Sequence, residues 1–96
     1  MNINIPDNVY KEIMNIAKKH DVNKIILFGS RAKGNNTERS DVDIAVYANN
    51  FSSFYWDVQE HINSLLSFDI VNAFDGVSAE LADEINKYGV TIYEKT

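Results

Sequence analysis

The sequence predicts an α/β (α+β) protein built on a mixed sheet of about four strands packed with helices. Two observations carry this. Segments of helical and strand periodicity alternate along the chain, and the link between the first two strand candidates is short enough for an antiparallel pair. With 96 residues there is room for one domain, read here as residues 1–96. Hydrophobic residues at 45% and charged residues at 24% favour a packed core over disorder.

The elements follow in order. Ile5, Val9, Ile13, Met14, Ile16 and Ala17 recur near the helical repeat, with Pro6 suited to a first turn. Lys18, Lys19 and His20 complement the negative end of the helix dipole and mark its close. Lys24 to Phe28 is a short apolar run, rich in β-branched residues, that stops at Gly29; it reads as a buried strand. Gly29 to Ser40 is polar and glycine-punctuated, a loop with a short helix, and Val42 to Tyr47 is again strand-like. Asn49 and Asn50 mark a turn, and Ser52 or Ser53 is expected to cap a helix running to Leu66. Its inner stripe would be Phe54, Val58, His61 or Ile62, and Leu65. Phe68 to Phe74 is a third strand and Asp75-Gly76 a turn. Ser78 opens a helix with Leu81, Ala82 and Ile85 inward, Gly89 closes it, and Val90 to Tyr93 is the last strand.

Composition excludes several classes of function. The chain has no cysteine, hence no disulfide and no thiolate metal site. No apolar run approaches a membrane span, and Met1 to Ile5 lacks the basic and apolar segments of a secretory signal. A cytoplasmic setting is the expectation. The net charge of −5 repels phosphate backbones and disfavours nucleic acid as a partner, although metal ions can reconcile an acidic site with a nucleotide.

The chemistry concentrates in Gly29 to Val46. A buried strand ends in Gly29-Ser30 before residues able to start a helix, an arrangement whose backbone amides favour an anion. Asp41 and Asp43 lie two apart at the start of a strand, so the pleat aims both carboxylates to one face. Two close carboxylates are tolerable with a hard divalent cation between them, Mg²⁺ first and Mn²⁺ as the alternative. Asp69 interrupts the apolar run Phe68-Asp69-Ile70-Val71, and if that strand neighbours the first pair it completes a three-carboxylate site able to hold two ions. A P-loop does not fit, because Asn35 and Asn36 stand where Lys and Ser/Thr are needed. A calcium loop counted from Asp41 fails at Ala45, Val46 and Ser52.

Gly-Ser, ten intervening residues, Asp-x-Asp and a later strand Asp together resemble the nucleotidyltransferases of the DNA polymerase β superfamily. The short length and the ending Glu84 to Tyr93 are similar to the minimal nucleotidyltransferases within it. The resemblance implies the nucleotidyltransferase fold, with Gly29 and Ser30 at the nucleotide; Arg31 and Lys33 read either as further nucleotide-binding cations that steer phosphate or as solvated loop cations. It implies that Asp41, Asp43 and Asp69 are the catalytic, metal-holding acids. Many members have Arg where Lys33 stands, so a bidentate phosphate contact is absent here. It further implies ATP as substrate, two Mg²⁺ ions, and an antitoxin role beside a HEPN-type helical toxin encoded nearby, whose tyrosine hydroxyl would receive AMP. The alternative is a non-catalytic antitoxin that neutralises its partner by stoichiometric binding; transfer to a small molecule is disfavoured because that acceptor needs its own pocket. Oligomeric state is left open.

The remaining polar residues have plainer readings. Asp75 precedes Gly76 and reads as a turn residue, His20 as a helix-end residue and His61 as a helix-face residue. Arg39 balances Asp41. Phe51, Phe54, Tyr55 and Trp56 read either as packing at a helix start or as an aromatic patch for a protein partner.

Overall fold

The computed structural model describes residues 4–62 and 65–96. In chain order they form α1 (Asp7–Lys19), β1 (Lys24–Phe28), α2 (Ser30–Lys33), β2 (Val42–Tyr47), α3 (Phe51–His61), β3 (Phe68–Asn72), a 3-10 turn (Ala73–Asp75), α4 (Ala79–Tyr88) and β4 (Val90–Glu94). The sheet order is β3-β2-β1-β4. β1 runs antiparallel to both β2 and β4, whereas β2 and β3 are parallel. The mixed sheet is therefore as the short β1–β2 connection predicts.

Strand alternation divides the interior into two unequal cores. Ile25, Leu27, Val42, Ile44 and Val46 face the larger one, where Val9, Ile13, Ile16 and Ala17 of α1 and Phe54 and Val58 of α3 pack. Full burial of a side chain such as Ile13 or Phe54 stabilises the fold by roughly 1.5–3 kcal/mol. On the opposite face Phe28, Ala45 and Ile85 form a smaller core under α4, with Ile26, Val71, Ala73 and Leu81 around it. Asp43 and Asp69 occupy the pleat positions on this second face, at the end of the sheet where β1 finishes and β2 and β3 begin.

Three boundaries differ from the sequence expectation. Helix α3 begins after Asn50 and ends at His61, because Ile62 turns extended (φ −79°, ψ 113°) as the chain reverses towards a strand parallel to β2. Ser53 thus lies inside the first turn, where its hydroxyl donates to Asn50 Oδ1 at 3.0 Å. Ile62, not His61, completes the buried stripe, and Leu65 is fully exposed beyond the helix; residues 63 and 64 of the expected helix lie outside the described residues. Strand β3 stops at Asn72, whose side chain accepts from the Phe74 amide at 3.2 Å and opens the 3-10 turn. Ser78 caps α4 as expected, accepting from Leu81 N at 3.1 Å. Gly89 ends α4 in extended rather than left-handed geometry (φ −62°). Its need for glycine is steric: a Cβ there would run into the Ile85 carbonyl and the Ile26 side chain.

Candidate active site

The acids come together through strand register. Asp43 lies opposite Phe28 of β1 on one side and Asp69 of β3 on the other. Asp41 sits one pleat earlier, exposed, just before β2 begins. Asp43 is half-buried and Asp69 exposed. Burial, then the charges of Asp69, Asp41 and Glu84, raise the Asp43 carboxyl from 3.8 to about 6, against a smaller opposing effect of Arg31. The fold thus concentrates negative charge that nothing within the cluster neutralises fully.

Gly29 makes this packing possible. It adopts φ 74°, ψ −157°, and a Cβ at this position would overlap the Asp43 carboxylate. The sequence reserves this glycine for an approaching phosphate, whereas in the structure the Asp43 side chain is already pressed against its backbone. Ser30 follows at once as the first residue of α2, half-buried beside the acids' end of the sheet.

Arg31 departs from the nucleotide-facing expectation. It is 4% exposed, and its guanidinium donates to Ser40 O (3.1 and 2.9 Å), Glu38 O (3.2 Å), Thr37 O (3.5 Å) and Asn4 O (2.5 Å). A planar fork of donors suits this cage of carbonyls. Its effect is to fix the loop that delivers Asp41. A turn in which Ser40 Oγ accepts from Thr37 N at 2.9 Å tightens the same loop. Lys33, by contrast, extends to α4, with Nζ 3.4 Å from Glu84 Oε1 and 5.2 Å from the Tyr88 ring centroid.

Among the described residues no three acidic or histidine side chains close around a common point as a finished metal cage. Asp41, Asp43 and Asp69 instead stand open at one end of the sheet, with Asp43 and Asp69 in register and Asp41 just before β2. A cleft of about 470 Å³ lies between the loop before Asp41 and the segment entering β3, lined by Glu38, Arg39, Leu65 and Leu66. A second groove, lined by Tyr47, Phe74 and Lys24 among others, lies at the far end of the sheet and contains none of the predicted residues.

Beyond the motif residues, the two histidines hold the structural places the sequence predicts, the aromatic group divides, and Glu84 is added. His20 Nε2 and His61 Nδ1 both meet Asp57, at 2.7 and 2.8 Å, and Lys19 Nζ lies 3.3 Å from it. This ties the end of α1 to α3, so both histidines are structural. The aromatic group splits: Phe54 is buried, whereas Trp56 is 58% exposed and edge-on to Tyr55 at 5.1 Å. Glu84 near Asp43 carried no sequence signal, since nothing in its own segment reveals that α4 crosses the acids' face.

Comparison with known proteins bears on this arrangement. The family model described as polymerase beta, nucleotidyltransferase matches residues 11–96. The chain belongs to this nucleotidyltransferase family. It is 41% identical over 56 residues to a candidate protein adenylyltransferase of Methanocaldococcus jannaschii, a match covering 54% of this chain and 56% of that protein; it thus spans little more than half of that relative's length. Among solved structures it is similar to a toxin-antitoxin complex with AMP-PNP, with TM-score 0.68, 23% identity, and coverage of 90% of this chain and 73% of that one. It is also similar to a Shewanella oneidensis structure of a tri-AMPylated HEPN toxin with its MNT antitoxin, with TM-score 0.61, 21% identity, and coverage of 91% and 71%. These likenesses establish the shared fold. The nucleotidyltransferase fold expected from the Gly-Ser and Asp-x-Asp motifs is thereby the fold of this chain.

Proposed function

We propose that this nucleotidyltransferase transfers AMP from ATP to a tyrosine hydroxyl of a HEPN-type partner in the cytoplasm, acting as its antitoxin. The observation that carries the reading is the register of Asp43 between Phe28 and Asp69, which places two carboxylates side by side where the Gly29-Ser30 turn ends. The partner is taken from the similarity to the toxin-antitoxin complexes, one of them with an AMPylated toxin, and the tyrosine acceptor from the resemblance of the motif to the minimal nucleotidyltransferases.

The donor set fits a hard divalent ion: oxygen ligands only, from adjacent strands, at a place where burial first and neighbouring acids second raise the Asp43 pKa to about 6. Asp41, Asp43 and Asp69 would hold Mg²⁺. An ion held there would supply Lewis acidity and charge neutralisation for phosphoryl transfer.

The chain's own groups account for the rest. The Ser30 hydroxyl and the Lys33 ammonium bind and orient the triphosphate. Arg31 acts indirectly, by fixing the loop that carries Asp41. Asp69, exposed at the β3 edge of the cluster, receives the acceptor's proton. The acceptor oxygen bonds to the α-phosphorus, the bond to the bridging oxygen breaks, and pyrophosphate leaves.

The test is a thermal-shift and label-transfer experiment. Mg²⁺ and ATP together should raise the melting temperature of the wild-type chain, as ligand linkage requires, and α-labelled ATP should mark the co-purified partner. A labelled partner with wild type and an unlabelled one with Asp43→Asn is the expected pair. A partner that co-purifies unlabelled with wild type would leave neutralisation by binding alone.

A further inference from the structure

We propose that Glu84 and Tyr88 are positioning residues that hold the Lys33 ammonium at the mouth of the site, ready for a triphosphate. The inference rests on the nucleotide reading above and deepens it. Arg31 is enclosed by loop carbonyls, so Lys33 is the cationic side chain that α2 can offer an anion. A lysine on a four-carbon stem is otherwise poorly directed and loses much rotamer freedom when it grips a ligand.

Two contacts restrict it. Nζ lies 3.4 Å from Glu84 Oε1 and 5.2 Å from the centre of the Tyr88 ring, whose face attracts a cation. Glu84 and Tyr88 are four residues apart on α4, so one helix face presents both. Ile85, beside Glu84, is buried against the sheet, which anchors that part of α4. The pair is not a remote surface bridge: both side chains are about one-third exposed, at 34% and 33%, and the charge of Glu84 reaches Asp43. An ammonium has three donors. With one on Glu84 and the ring beneath, a donor remains for a phosphate oxygen.

Coulomb's law alone predicts the opposite consequence. Removing a carboxylate near an anionic ligand should tighten binding, so the sign of the effect decides the matter. The experiment is calorimetric titration of MgATP into wild type, Glu84→Gln, Lys33→Ala and the double variant, with a melting curve for each to establish folding. Positioning predicts about five-fold weaker binding for Glu84→Gln and no further loss when it is added to Lys33→Ala. Tyr88→Phe, which keeps the ring, should bind as wild type does, whereas Tyr88→Leu should weaken binding about two- to three-fold. Equal or tighter binding by folded Glu84→Gln, or the same loss in both Lys33 backgrounds, would overturn the inference while leaving the nucleotide reading intact. A wild type that binds no MgATP at millimolar concentration overturns that reading and this inference with it.

Discussion

The Asp43 carboxylate occupies the space that a side chain on Gly29 would need. The glycine of the Gly-Ser turn is therefore as much a requirement of the acid cluster as of any ligand. Strand pairing explains why. Phe28 is the register partner of Asp43, so the residue after Phe28 passes beside that carboxylate as the chain turns into α2.

This relationship separates two glycines that look alike in sequence. Gly29 and Gly34 both have positive φ, 74° and 83°, but a Cβ on Gly34 would meet nothing within 4 Å. Gly34→Ala should cost about 1 kcal/mol through backbone strain alone and leave MgATP binding unchanged. Gly29→Ala should cost about 1–3 kcal/mol from strain, more from the overlap, and lose binding. Urea unfolding with parallel ligand titration measures both, and equal costs for the two variants would contradict the steric assignment.

Asp43 should trade stability for function. Its pKa is raised from 3.8 to about 6, so between those values the folded state binds more protons than the unfolded one. Stability therefore falls as pH rises through that window, and the full penalty is present above about pH 6. Asp43→Asn should melt higher than wild type at pH 7, lose the advantage near pH 4, and lack transfer activity. Melting curves across this range test the sign.

Protons and metal compete for the same carboxylate. Mg²⁺ should raise the melting temperature more at pH 7 than at pH 5, because Asp43 is largely protonated below its value of about 6. Chelation should remove the shift. An Mg²⁺ shift of equal size at both pH values would argue that Asp43 is no ligand.

Arg31 should behave as a structural residue. Its removal strands the carbonyls of Ser40, Glu38, Thr37 and Asn4, and Lys cannot reproduce a fork shared among them. Arg31→Lys should cost roughly 2–4 kcal/mol in urea unfolding and loosen the segment before Asp41, read as faster amide exchange over residues 37–40. Unchanged stability with weakened MgATP binding would return Arg31 to the nucleotide.

Asp57 offers a control away from the acids. The hydrogen bond from His20, aided by Lys19 and His61, holds its carboxyl below the ordinary value against the effect of burial. Its contribution is present above an unfolded pKa near 3.8 and is lost as pH falls through the lower folded one. Asp57→Asn should cost about 1–3 kcal/mol at pH 7 and progressively less below pH 4, with transfer activity retained.

Much of this was legible in the chain itself. The strand runs Lys24–Phe28 and Val42–Tyr47 and the cap at Ser78 stand as the sequence placed them, because each is set by local pattern. The motif residues Gly29, Asp41, Asp43 and Asp69 meet at one end of the sheet because the pleat and a parallel register bring them there. What eluded the sequence depends on long-range packing. Leu65 continues a helical stripe on paper, yet the chain must turn at Ile62 to place β3 beside β2. Arg31 has the composition of a phosphate ligand, and only the fold of the following loop reveals the carbonyls that enclose it. Glu84 enters the site from a helix more than forty residues downstream, and no spacing rule connects it to Asp43.

AMP transfer by the carboxylate cluster to a protein partner leaves a mass signature on that partner. The measurement is the intact mass of the proposed HEPN-type partner, co-expressed with wild type or Asp43→Asn. The account predicts a partner heavier by one or more AMP units with wild type and unmodified with the variant. An unmodified partner in both cultures, despite a stable complex, would contradict it.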